Sequence, residues 1–235
     1  MVDSYSKDGT VKIAKRFGAK IIQTRGGLLW ARYIGHLYAG GEIELLLDSD
    51  QILNSTTVKR GVEMMMNGYD MLILEERSYK PCTIMQWLVY FDRKHVHKLI
   101  DLHPIHGVLL ARMYKYDILD KAFRNIRRKL PPQVMYKLVS QDHAVIYYES
   151  WKHASKVGVL QDAIYHIEPS SLKSLVRKFY RYGKTELNLS KYYPELAKGK
   201  KVPRKPRLSM EYGASMLLWS LKAIPYLIGR LNQHA

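Results

Sequence analysis

Short apolar runs alternate with segments of helical period along the first third of the chain, and one of those runs ends in two carboxylates. Val11 to Phe17 has helical spacing and is closed by Gly18. Lys20 to Gln23 is short and strand-like, and Leu28 to Tyr38 is helical up to Gly40-Gly41. Ile43 to Leu47 reads as extended, Thr56 to Met66 as a helix stopped near Asn67-Gly68, and Met71 to Leu74 as a second short strand. Helices interleaved with short apolar strands argue for an α/β layer with parallel strands. The run Ile43 to Leu47 passes directly into Asp48-Ser49-Asp50. In open α/β sheets ligands bind at the carboxyl ends of strands. Two aspartates one residue apart can offer hard oxygens to Mg²⁺ or Mn²⁺, which favour a few carboxylates plus substrate phosphates. A cation held there can neutralise a departing diphosphate. The same D-x-D pattern also serves as a turn or a helix cap, although Asn54-Ser55 offers the following helix a cap of its own. On these residues alone both readings stand.

Further along, Thr83 to Ile100 reads as a helix, Val108 to Tyr114 as a strand and Arg124 to Pro132 as a basic loop. Asp142 to Trp151 is helical, and Val157 to His166 suggests one or two edge strands. Ser170 to Tyr182 is a helix with serines for its N-cap and Gly183 at its end. Leu196 to Leu208 holds Lys198, Lys200, Lys201, Arg204, Lys205 and Arg207, two prolines and no acid, which is the composition of a linker. Apolar residues at 210, 213, 217, 221, 224, 228 and 231 then follow with helical spacing. A basic approach beside an amphipathic helix attracts anionic lipid, and Trp219 and Tyr226 would place this helix in the interface rather than across it. Packing of the same helix on its own domain or on a partner is the competing reading.

The hydrophobic share of 47% predicts a true core. The 18 Tyr against 4 Phe suggest rings at boundaries and clefts, where the hydroxyl stays wet. A net charge of +17 attracts polyanions without choosing among nucleic acid, lipid and phosphorylated small molecules. The single cysteine, Cys82, excludes an intramolecular disulfide. No apolar h-region opens the sequence and no long uncharged apolar run follows, so a cytoplasmic chain without a plain transmembrane helix is expected. The histidines at 95, 97, 103 and 106 read as surface or loop residues, because the two-residue spacing of His95 and His97 places them on different helix faces.

The segment Val2-Asp3-Ser4-Tyr5-Ser6-Lys7-Asp8-Gly9-Thr10 resembles the V-D-D-x-S-x-D-x-T stretch of family 2 glycosyltransferases, which are inverting enzymes that use nucleotide-sugars. Ile13-Ala14, Gly18-Ala19-Lys20-Ile21-Ile22, Gly26-Gly27-Leu28, Ala31-Arg32-Tyr33-Ile34-Gly35, Gly41-Glu42 and Leu45-Leu46-Leu47-Asp48-Ser49-Asp50 follow in that family's order. The resemblance is clear over residues 2–53 and thins towards residue 184. It implies a Rossmann-like fold of the GT-A type, with a mostly parallel central sheet flanked by helices. Asp48 and Asp50 match the motif for metal and diphosphate, Asp3 an acid that holds the nucleoside, and Arg32 an arginine beside the nucleotide. Gln141-Asp142 resembles the motif whose aspartate is the base towards the acceptor hydroxyl, although Asp142 alone reads as a helix N-cap. His166 falls where some members place a metal-side histidine. Arg177 and Arg181 fall where basic residues meet phosphate, and a spacing of four puts them on one helix face.

Ser4, Tyr33 and Gln141 depart from the family pattern, and the chain begins inside a segment that the family precedes with a strand and a helix. The expected organisation is therefore an N-terminally truncated catalytic domain over 1–195, a basic linker over 196–209 and an amphipathic, membrane-associating helix over 210–235. The expected activity is metal-assisted transfer of a sugar from a nucleotide-sugar to an acceptor hydroxyl or lipid phosphate, at the cytoplasmic face of a membrane if the tail binds lipid. The acceptor would then be lipid-linked or a glycan. The alternatives are an inactive relative and a basic protein that binds a membrane surface or nucleic acid. No nucleic-acid motif supports the last.

Overall fold

The structure, a computed structural model, describes residues 1–97, 101–107, 109–185, 189–197 and 210–232. The elements run β1 (Val2–Asp3), α1 (Thr10–Arg16), β2 (Ile22–Gln23), α2 (Leu28–Leu37), β3 (Ile43–Leu45), β4 (Gln51–Leu53), α3 (Thr57–Met66), β5 (Met71–Ser78) and α4 (Ile84–His97). They continue through β6 (Ala111–Lys115), α5 (Tyr116–Lys129), α6 (Pro132–Lys137), α7 (Asp142–Trp151), β7 (Val157–His166), α8 (Leu172–Thr185), α9 (Leu189–Tyr192), α10 (Pro194–Ala197) and α11 (Met210–Leu231). β1 and β2 form a small parallel pair, and the other five strands form one sheet in the order β3-β6-β5-β7-β4.

The α/β class is as the alternating pattern predicts. β3, β5 and β7 share one direction, while β6 and β4 run against them. Because β6 lies between β3 and β5, the sheet is mixed rather than mostly parallel in its neighbouring ladders. β5 is the central strand, and its Met71-Leu72-Ile73-Leu74 run is almost wholly buried. Side chains alternate across a strand, so Met71 and Ile73 join the larger core, with Leu29, Leu119, Phe123, Ile146 and Tyr147. Leu72 and Leu74 point the other way, onto Met65, Met113, Leu160 and Ile164. Burial on both faces is what a continuous apolar strand signals.

Several elements differ from the sequence reading. Arg124 to Lys129 is the end of α5, not a loop. The apolar set Ile118, Leu119, Ala122, Phe123 and Ile126 is buried on one face of that helix, and the basic residues occupy the other. β7 is one ten-residue strand between β5 and β4 rather than an edge strand. Three tyrosines, Tyr114, Tyr147 and Tyr193, lie fully inside. The hydroxyls of Tyr114 and Tyr147 donate to the carbonyls of Ala111 and Leu102, at 2.6 and 2.5 Å, so these rings pack in the core with a polar atom satisfied. His95 is buried against Tyr212 rather than on the surface.

α8 also runs past Gly183. A Cβ there would lie 2.0 Å from the carbonyl oxygen of Tyr226, and one on Gly229 would lie 2.1 Å from that of Tyr180. Gly183 therefore marks a backbone-to-backbone crossing of α8 and α11, not a helix stop. α11 packs on both α4 and α8, with Leu218 buried among Met85, Val89 and Leu175. No described helix is long and apolar enough to cross a membrane. The predicted linker over 196–209 lies almost wholly outside the described residues.

Candidate active site

The Asp48-Ser49-Asp50 segment is a turn that leads from β3 at one edge of the sheet to β4 at the other. Its path crosses the end of the sheet where β5 offers Glu76, β6 offers Arg112 and β7 ends at His166. The backbone N–H of Asp48 donates to Gln51 Oε1 at 2.9 Å, and the Ile167 N–H donates to the Asp50 carbonyl at 2.8 Å, fixing the turn at both ends. The aspartates cap no helix; α3 begins after Asn54, whose side-chain oxygen accepts the Thr56 N–H at 3.3 Å.

Two arginines grip Asp48. Arg32 Nη2 donates to its Oδ1 at 2.6 Å and Arg112 Nη1 to its Oδ2 at 2.9 Å, with His143 Nε2 3.6 Å away. Burial works against the Asp48 carboxylate. The charge and hydrogen bonding of His143, Arg32 and Arg112 outweigh it and hold the group well below the usual carboxylate range. Arg32 is one turn before His36, whose buried ring contacts Glu44 of β3 at 2.7 Å and so pins α2 to the sheet. The start of α2 is tight: a Cβ on Gly27 would lie 2.2 Å from the Leu138 carbonyl, which accepts the Leu29 N–H. The same guanidinium holds Asp142, since Arg32 Nε donates to Asp142 Oδ2 at 2.5 Å. Asp142 is the first residue of α7, and the carboxylate bonds to α2 rather than capping its own helix. Gln141 precedes it at φ 61°, a left-handed conformation that costs a non-glycine residue on the order of 1 kcal/mol.

Behind the turn lies a second layer of charge. Arg112 Nε donates to Glu76 Oε1 at 2.6 Å, and Arg93 of α4 bridges Glu76 and Glu168. Burial raises the Glu76 carboxyl, but Arg112 and Arg93 bring it down to about 2. The Glu76 N–H donates to His97 Nε2 at 3.2 Å, so His97 is an acceptor within this layer rather than a surface residue.

Asp50 is the open member of the pair, its side chain 41% exposed against 26% for Asp48. Its Oδ2 lies 3.5 Å from His166 Nε2, and burial together with the Arg93 charge lowers the His166 pKa, which favours a neutral imidazole. Among the described residues no three His, Cys, Asp or Glu side chains converge as a closed cation cage. One carboxylate beside one neutral imidazole is a partial donor set. Mg²⁺ and Mn²⁺ complete such sets with substrate phosphates and water, so the chemistry fits at Asp50 and His166, while both oxygens of Asp48 are already engaged.

The structure thus brings together five of the predicted residues: Arg32, Asp48, Asp50, Asp142 and His166. Asp3 lies on the separate β1–β2 pair, where its carboxylate accepts from Ser6 Oγ at 2.5 Å and Gln23 Nε2 at 3.0 Å. Arg177 is exposed on α8, and the exposed Arg181 lies over the Tyr182 ring at 5.9 Å. The sequence reading missed Arg112, Glu76, Arg93, His143 and Glu168. Charged residues at the ends of apolar runs, as in Leu74-Glu75-Glu76 and Leu109-Leu110-Ala111-Arg112-Met113, were the available signal.

The family profile of glycosyl transferase family 2 matches residues 1–137, more than half of the chain. The chain belongs to glycosyl transferase family 2. No curated protein matches it by sequence. Among solved structures, S. aureus TarS superposes with a TM-score of 0.54 at 19% identity, covering 90% of this chain and 38% of that one. The 1–349 form of TarS gives 0.54 at 17% identity, covering 97% of this chain and 70% of that one. Glucosyl-3-phosphoglycerate synthase from Mycobacterium tuberculosis, solved with Mn²⁺, UDP-Glc and phosphoglyceric acid, gives 0.46 at 15% identity, covering 83% and 67%. The likeness to TarS shows the GT-A type of fold; this family 2 chain spans well under half of full TarS.

Proposed function

We propose that this chain transfers a sugar from a nucleotide-sugar to an acceptor hydroxyl with inversion at the anomeric carbon. The observation that carries the reading is the Asp48-Ser49-Asp50 turn at the strand ends, tied through one guanidinium to Asp142. Arg32 orients both carboxylates, so the donor's phosphates at the turn and the acceptor's oxygen at Asp142 meet in a fixed relation. The acceptor oxygen attacks the anomeric carbon from the face opposite the diphosphate, and its proton passes to Asp142. The bond from that carbon to the diphosphate oxygen breaks, and the nucleoside diphosphate leaves with the electron pair. A divalent cation held by Asp50 and His166 would neutralise the charge on that leaving group. Asp3, Arg177 and Arg181 are assigned to the donor's nucleoside and phosphates.

Titration with a panel of UDP- and GDP-hexoses tests this directly. One member should bind in the presence of Mn²⁺, and Asp50→Ala should weaken that binding by about tenfold, the loss of one charge-assisted interaction. If no member binds, or if the variant binds as well as the parent, the transfer reading fails.

We also assign peripheral contact with anionic lipid to the outer face of α11. Ala214, Ser215, Leu218, Pro225 and Gly229 face the domain, whereas Leu217, Ile224, Ile228 and Leu231 are exposed along a flank of the helix. Trp219, 58% exposed, adds a residue suited to the headgroup region. An apolar face on a chain of net charge +17 suits an anionic bilayer better than a second copy bearing the same charge. A lipid-linked acceptor would be reached from that position. Sedimentation with phosphatidylcholine vesicles containing phosphatidylserine should pellet the chain, and the double variant Leu217→Asp, Ile224→Asp should lower the bound fraction about tenfold. A chain that stays in the supernatant with anionic vesicles contradicts the assignment.

A further inference from the structure

Beside the aspartate turn lies a half-open cavity of about 370 Å³ lined by β5, β6, β7, α4, α8 and α11. Arg112 and His166 belong to its wall and touch Asp48 and Asp50 on their other sides, so cavity and turn share a boundary. Tyr182 also lines it. Burial raises the Tyr182 pKa; the Arg181 charge opposes this, and the charges of Asp142, Asp50 and Asp48 add to it. The floor is apolar, from Val89, Leu175 and Phe179 among others.

The charges around this cavity do not balance. Its carboxylates are Glu76, Asp92 and Glu168, and each already has a cation. Glu76 is held by Arg112 and Arg93, Glu168 by Arg93, and Asp92 by Lys222 at 3.3 Å with a further bond from Ser215 Oγ at 2.6 Å. Lys178 of α8 is the cation left over; among the described residues it has no ion-pair partner. Lys222 sits in the same wall, over the Phe179 ring at 5.6 Å, and Asp92 would keep its Ser215 bond if that ammonium turned inward. A half-buried cationic group lining a partly apolar cleft is compensated most directly by an anion from the ligand.

We infer that this cavity takes the part of the acceptor remote from its reacting hydroxyl, and that Lys178, assisted by Lys222, holds a single anionic group there, a phosphate or a carboxylate. Calling the ligand an acceptor rests on the transfer reading of the neighbouring turn. The anion site itself does not, because it stands on the cavity and its unmatched lysine.

The test is calorimetric titration of the full chain, without metal, with inorganic phosphate and separately with sodium acetate. At least one of the two should bind saturably. Lys178→Gln should weaken that binding about tenfold, whereas Lys59→Gln, which removes an exposed lysine of α3, should leave it unchanged. Which anion binds identifies the group. Equal losses in both variants would mean diffuse attraction to a basic protein, and no loss in Lys178→Gln would mean that the lysine holds nothing; either overturns the inference. These outcomes are separate from those of the nucleotide-sugar titration with Asp50→Ala, so the anion site and the transfer reading fail independently.

Discussion

Arg93→Met is expected to lower folding stability by about 3–5 kcal/mol at neutral pH, measured by urea denaturation, the range found when one partner of a buried ion pair is removed. Arg93 bridges two carboxylates on different elements, Glu76 of β5 and Glu168 just beyond β7. Methionine fills much of the same space but leaves Glu168 buried with the Ser78 hydroxyl, 3.2 Å away, and the His166 ring, 3.5 Å away, as its remaining side-chain partners among the described residues. Glu76 would keep Arg112 and lose half of its positive surroundings.

The loss should also depend on pH in a definite direction. The Glu76 carboxyl lies at about 2 in the folded chain against an ordinary value of 4.5. Its contribution is complete above about 4.5, where the unfolded carboxyl is also ionised. It is lost as pH falls through about 2, and amounts to on the order of 3 kcal/mol. Without Arg93 the folded pKa rises towards the unfolded one, so less stability remains to be lost on acidification. The gap between parent and variant at pH 3 should therefore be smaller than at pH 7. A variant within 1 kcal/mol of the parent at both pH values would show that the bridge carries little of the fold.

What the sequence revealed and what it hid divide along sequence distance. The strand ending in Asp48-Ser49-Asp50 was legible because an apolar run and its acidic end are adjacent. So was the helix from Asp142, because 3.6-residue spacing is local. Arg112 was not legible. It sits inside β6 with no motif around it, and its partners Asp48, Glu76 and His143 come from three other segments 31 to 64 residues away. The helix α5 was hidden in its second half by Arg124, Arg127, Arg128 and Lys129, which a composition reading takes for a loop although Ala122, Phe123 and Ile126 keep the helical period beneath them. The tail helix was recognised from its period, but the period cannot say which stripe faces inward. Gly229 takes the packed side because α8 approaches closely there, Ser215 because its hydroxyl reaches Asp92 of α4, and Leu218 because it fills the space between α4 and α8, while Leu217, Ile224, Ile228 and Leu231 are left outside.

Asp142→Asn is expected to reduce kcat for sugar transfer by about a thousandfold, within the range of about 10²–10⁴ that a positioned proton acceptor contributes, with the KM for the donor little changed. The asparagine amide oxygen can still accept from Arg32 Nε, now 2.5 Å from Asp142 Oδ2, so α2 and α7 should stay joined and thermal stability should change by far less than in Arg93→Met. What the amide cannot do is take a proton from the attacking oxygen. Arg32→Lys separates orientation from proton transfer. A lysine restores the charge, but its single ammonium cannot hold Asp48 and Asp142 in the planar fork that Arg32 provides through Nη2 and Nε. That variant should weaken donor binding and kcat together, whereas Asp142→Asn should lower kcat alone. A kcat for Asp142→Asn within tenfold of the parent would remove Asp142 from the role of base and leave it as a brace for Arg32.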